Sequence, residues 1–85
     1  MAKKGSLFSL IKSLSKSEKR YFRIYAGTSG RDANYLLLFD AIEEQEQYDE
    51  SEIRKTLKGK KFLSQLHVTK IYLTELLLKA MRNYH

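Results

Sequence analysis

The chain has no cysteine, no proline and no tryptophan, and only four glycines in 85 residues. The missing cysteine removes disulfides, thiolate catalysis and cysteine-based zinc sites together. The missing proline leaves long helices unopposed, and the glycines fall at natural breaks. Long hydrophobic runs are also missing: nothing approaches the roughly 18 apolar residues of a membrane span. Met1-Ala2-Lys3-Lys4 followed by Leu7-Phe8-Ser9-Leu10-Ile11 has the outline of a signal peptide. The apolar stretch stops at Lys12, however, and no small-residue cleavage site follows. The N-terminus is therefore expected to be retained and the protein to be cytoplasmic.

Histidine is scarce as well. His67 and His85 stand alone, and no helical pair of metal ligands exists, so neither a metal nor a cofactor is expected. The serines lack a His–Asp relay. Glu43, Glu44, Glu46 and Glu50 have no apolar, concave surroundings in which a carboxyl could serve as a general acid or base. Gly27-Thr28-Ser29-Gly30 lacks the Gly-Lys-Ser/Thr ending of a phosphate loop. It has the GXXG form of KH domains, but those need strands this chain does not offer. The expectation is a non-enzyme.

What is present is a globular composition, 42 % apolar and 31 % charged, in a chain too short for two independent cores. Residues 1–85 are expected to form one domain. The net charge of +6 is unevenly distributed. Residues 1–31 carry eight basic and one acidic side chain, residues 32–52 eight acidic and no basic, and residues 53–85 eight basic and one acidic. Either the blocks attract one another within the fold, or two basic surfaces recruit an anionic partner.

The hydrophobic period is helical nearly throughout. Ser6 can cap a short helix with Leu7, Leu10, Ile11 and Leu14 on one face. Ser15-x-x-Glu18 reads as a capping box opening a second helix, which ends at Gly27. Asp32 caps a third helix running to about Gln47. Asp49 caps a fourth, with Glu52 three residues on and Tyr48 and Ile53 at the positions of a hydrophobic staple; this helix stops at Gly59. The rest reads as a turn of helix at 62–66 and a new start capped by Thr69. No stop signal follows Tyr84, as expected of a segment of a longer chain. The sequence thus predicts an all-α bundle of four to five helices. Its predicted core is Leu10, Leu14, Phe22, Tyr25, Tyr35, Phe39, Ile42, Ile53, Leu57, Leu73, Leu77 and Tyr84.

Two surfaces stand out as candidate sites. In the second helix Lys16, Lys19, Arg20 and Arg23 share an arc of about 100° opposite Tyr21, Phe22 and Tyr25. With Lys12 they form a candidate face for an anion or nucleic acid, whose binding would be salt-dependent and blind to sequence. In the last helix Ile71 and Leu78 align seven residues apart and well away from the core arc. With Leu37 they form a candidate face for a partner.

The stretch 38–81 resembles a helix-turn-helix domain. Leu38-Phe39-Asp40-Ala41-Ile42 looks like the first helix, Asp49–Leu57 like the second, and Leu66-His67-Val68-Thr69-Lys70-Ile71-Tyr72-Leu73 like the turn into a recognition helix. It departs from the pattern in three ways. The connection from Leu57 to Val68 is about eight residues too long, His67 replaces the turn glycine, and Ile71, Glu75 and Leu78 offer a poor surface to base edges. The whole chain also resembles the opening segment of a family of long, uncharacterised bacterial proteins. The residues concerned are 14–22 (LSKSEKRYF), Asn34-Tyr35-Leu36, 38–42, Val68-Thr69-Lys70 and Tyr72-Leu73. In that family the segment precedes tetratricopeptide-like helical repeats; the resemblance transfers no catalytic or ligand residues. It implies repeats as natural neighbours of Ile71 and Leu78. The function expected from all this is a protein-interaction or scaffolding module. The alternatives are a nucleic-acid-binding domain using the basic helix face and, more weakly, membrane-surface association through residues 6–25. A homodimer would also fit the partner face.

Overall fold

The computed structural model describes residues 6–27 and 33–85. Lys3, Lys4, the loop 28–31 and the proposed cap Asp32 lie outside the described residues, as does the side chain of Ser6. Among the described residues five α-helices follow in order: α1 (Ser6–Ser13), α2 (Lys16–Gly27), α3 (Ala33–Glu43), α4 (Glu50–Thr56) and α5 (Leu66–Tyr84). A 3-10 turn, Lys61–Gln65, leads into α5. Among the described residues there is no strand, so the architecture is all-α.

Both capped starts form as their spacing requires. At α2 the Glu18 N–H donates to Ser15 Oγ at 3.1 Å, and the Ser15 N–H donates to Glu18 Oε1 at 2.7 Å, a reciprocal capping box. At α4 Asp49 Oδ1 accepts from the N–H groups of Ser51 and Glu52. The return bond is not made by Glu52. Gln45 instead brackets Asp49, accepting its N–H at 3.2 Å and donating to its carbonyl at 3.0 Å. Gly59 closes the turn after α4 with φ at +90°, a left-handed conformation that favours glycine.

Helix α3 is the hub, packing against α1, α2, α4 and α5. Four other helices need its surface, so Leu38, Phe39, Ala41 and Ile42 are all buried on it. Phe22 of α2 meets Phe39 of α3 with ring centroids 4.9 Å apart. Burying rings of this size contributes about 2–3 kcal/mol each, the largest stabilisation available to a domain this small. Ile11, Ala26, Ile53, Leu66, Leu73, Leu77 and Ala80 complete the fully buried set.

Four expectations need correction. Helix α3 stops at Glu43, not near Gln47, because the run 43–47 offers no apolar side chain and places glutamates at the negative end of the helix dipole. Helix α4 ends at Thr56, with Leu57 as its C-cap, before Gly59 is reached. Thr69 does not cap α5; it is buried, and its Oγ1 donates to the Gln65 carbonyl at 3.1 Å. The helix starts earlier, at Leu66, whose N–H already donates to Leu63 O of the 3-10 turn, so no side-chain cap is needed. Tyr84 belongs to the rim: it is exposed, resting on Tyr21 with centroids 5.1 Å apart. Leu10, Tyr25 and Tyr35 are half-buried, packed against the core.

Candidate protein-interaction surface

Charge settles first, because the middle acidic block meets the basic helix face directly. Lys19 Nζ lies 3.1 Å from Glu43 Oε2. Arg23 Nη2 pairs with Asp40 Oδ1 and lies 3.9 Å from Glu43 Oε1, with its guanidinium 5.4 Å from the Phe39 ring centroid. Lys12 of α1 donates to the Glu43 carbonyl at 2.7 Å, satisfying an orphan acceptor at the end of α3. Three of the five candidate cations are therefore turned onto the C-terminal end of α3. Lys16 and Arg20 remain exposed, with no ion pair among the described residues. Those two alone make a small remnant of the expected face.

The same internal use of charge recurs at α5. Lys70 is half-buried and donates to Glu50 Oε1 at 2.9 Å and to the Tyr48 hydroxyl at 3.0 Å, with its ammonium 5.1 Å from the Tyr48 ring centroid. Tyr48 also donates to Glu50 and packs its ring on Phe8 of α1. The hydrogen bond from Lys70 holds the Glu50 carboxyl below the ordinary carboxylate range, against the opposing effect of burial. Burial would lower Lys70, but its bonds to Glu50 and Tyr48 outweigh this and hold it above the ordinary lysine value. Sequence reasoning missed this network, since its members lie 20 and 22 residues apart.

What stays open is apolar. Helix α5 buries Leu66, Leu73, Leu77 and Ala80 along one arc. Its other arc exposes Val68, Ile71, Tyr72 and Leu78, between 38 % and 52 % accessible. Ile71 and Leu78 thus lie where the sequence put them. Leu37 does not share their exposure: it is half-buried and packs against the core, because α3 is apolar on nearly every side. Val68 and Tyr72 were missed, although Val68 stands three residues before Ile71 on the same face and Tyr72, four after Val68, flanks it. On the flank toward α3, Tyr35, Tyr72, Glu75, Leu76 and Lys79 line an open groove of about 330 Å³. No described helix is long and apolar enough to cross a membrane.

Set against protein-family models, curated proteins and solved structures, the chain matches none of them.

Proposed function

We propose that the protein is a non-catalytic protein-interaction or scaffolding module whose contact surface is the outer arc of α5. The observation carrying this reading is the exposure of Val68, Ile71, Tyr72 and Leu78 on a helix whose opposite arc already completes the core. Packing therefore gives these four side chains no intramolecular role that would explain their alignment, whereas partner-binding helices present apolar anchors at this spacing. The inward turn of Lys12, Lys19 and Arg23 supports the same reading over nucleic-acid binding, because a neutralised face releases few counterions. The partner would be another protein or helical repeats on the same polypeptide, and the compartment this reading expects is the cytoplasm.

The test is retention on the immobilised domain. Three forms are compared: unaltered, Ile71→Glu/Leu78→Glu, and Lys16→Glu/Arg20→Glu. Retained protein that disappears only with the first double substitution supports the reading. Retained nucleic acid that disappears only with the second would overturn it in favour of the basic face.

A further inference from the structure

The outer arc of α5 has a charge environment of its own. Lys79 and Arg82 are exposed within the same arc as Val68, Ile71 and Leu78. Before the helix, Lys58, Lys60 and Lys61 are exposed on the turn around Gly59. The five-residue 3-10 turn runs directly from Lys61 into Leu66, which keeps Lys61 within roughly 10 Å of the first turn of α5. Cations therefore stand at both ends of an apolar stretch that runs about 15 Å from Val68 to Leu78.

Five of the domain's acids are already committed to other cations. Asp40 and Glu43 take Lys19 and Arg23, Glu50 takes Lys70 and Arg54, Glu52 takes Lys55, and Glu18 takes His85. Glu44, Glu46 and Glu75 are left exposed without an ion pair among the described residues; Glu75, the one acid in residues 53–85, lies on this same arc, four positions before Lys79. Among the described residues, Lys58, Lys60, Lys61, Lys79 and Arg82 have no acidic partner.

Resting on the reading of this arc as a docking surface, we propose that its occupant is an acidic amphipathic helix of another protein. Its apolar side chains cover Val68, Ile71 and Leu78, and one large side chain enters the groove beside Tyr35 and Tyr72. Its carboxylates face Lys79 and Arg82 at one end and the Lys58–Lys61 turn at the other. A second copy of this chain fits less well, because it brings the same +6 net charge and the same cations to the contact. A nucleic acid brings phosphates but nothing apolar for Ile71 and Leu78.

The experiment uses the full 85-residue chain and two labelled synthetic peptides matched to the 19 residues of α5. Both carry the same leucine stripe, one with glutamate and one with lysine at the outward positions. Fluorescence anisotropy should show the glutamate peptide binding at least about tenfold more tightly at low salt, with the gap narrowing at high salt. Ile71→Glu/Leu78→Glu, or the milder Ile71→Ala/Leu78→Ala where the first unfolds, should weaken that binding at least about tenfold. Lys58→Gln/Lys60→Gln/Lys61→Gln should weaken it several-fold. Equal binding of the two peptides that still depends on Ile71 and Leu78 overturns the acidic occupant and leaves the docking face standing. Binding that ignores Ile71 and Leu78 overturns both. Sedimentation as a dimer overturns the proposal in favour of a second copy. Displacement of the acidic peptide by a single-stranded oligonucleotide overturns it in favour of a polyanion, and failure of either peptide to bind overturns it outright.

Discussion

Lys70 reaches across from α5 to hold the start of α4, and its surroundings show how this fold uses charge at the level of single residues. Glu50 is held down by the Lys70 hydrogen bond, and Glu18 by the backbone N–H of Ser15 together with His85. In the unfolded chain both titrate near the ordinary value of about 4.3. A depressed folded value means that the unfolded state takes up protons first as pH falls. Both contributions are thus fully present above that range and are lost below it. Lys70, held above its ordinary value, works in the other direction: its contribution persists at low and neutral pH and fades only above about pH 10.4. Urea unfolding followed from pH 6 to pH 3 should show stability falling below about pH 4.5, with a shallower fall for Glu50→Gln. Equal slopes for the two proteins would contradict this account of Glu50. Removing the ammonium as Lys70→Met should cost only about 1 kcal/mol at neutral pH, since Glu50 is substantially exposed to solvent. The caps were legible in the sequence because Ser15 and Glu18, or Asp49 and Ser51, are fixed by a spacing of two or three residues. Lys12 on Glu43 and Lys70 on Tyr48 were not, because only the tertiary fold brings them together.

At the scale of elements, the helix starts that depend on side chains were readable and those that depend on backbone were not. α2 and α4 begin where a serine or an aspartate accepts the free N–H groups. α5 begins without one, because the 3-10 turn passes its hydrogen bonds straight into the helix. Thr69, chosen from the sequence as a cap, is one turn inside. The end of α3 was misplaced for a related reason: a lysine from α1, remote in sequence, satisfies its last carbonyl. Ser15→Ala should destabilise the domain by about 1 kcal/mol, read as a lower denaturant midpoint with unchanged slope. An unchanged midpoint would mean that the short α1–α2 junction is held by packing of Ile11 and Leu14 alone.

At the scale of the molecule, the bundle divides its apolar residues into those that fold it and those left over. The phase of the helices separated the two sets well for α5, where Leu73 and Leu77 are buried and Ile71 and Leu78 are not. It failed for α3, where a helix surrounded by four neighbours has no outer side for Leu37 to occupy. The division predicts opposite outcomes for substitutions of similar size. Phe22→Ala should cost about 3–5 kcal/mol, a large share of the roughly 4–13 kcal/mol expected for a chain of this length. Ile71→Glu and Leu78→Glu should each stay within about 0.5 kcal/mol of the parent in the same denaturation series.

The claim on which all of this turns is that α5 serves the core with one arc and a partner with the other. Its most direct test is a photo-activated cross-linking side chain placed at position 71 and, in a separate protein, at position 20, with both irradiated inside cells. The account predicts discrete protein adducts from position 71 and few or none from position 20. Nucleic-acid adducts from position 20, with position 71 silent, would contradict it.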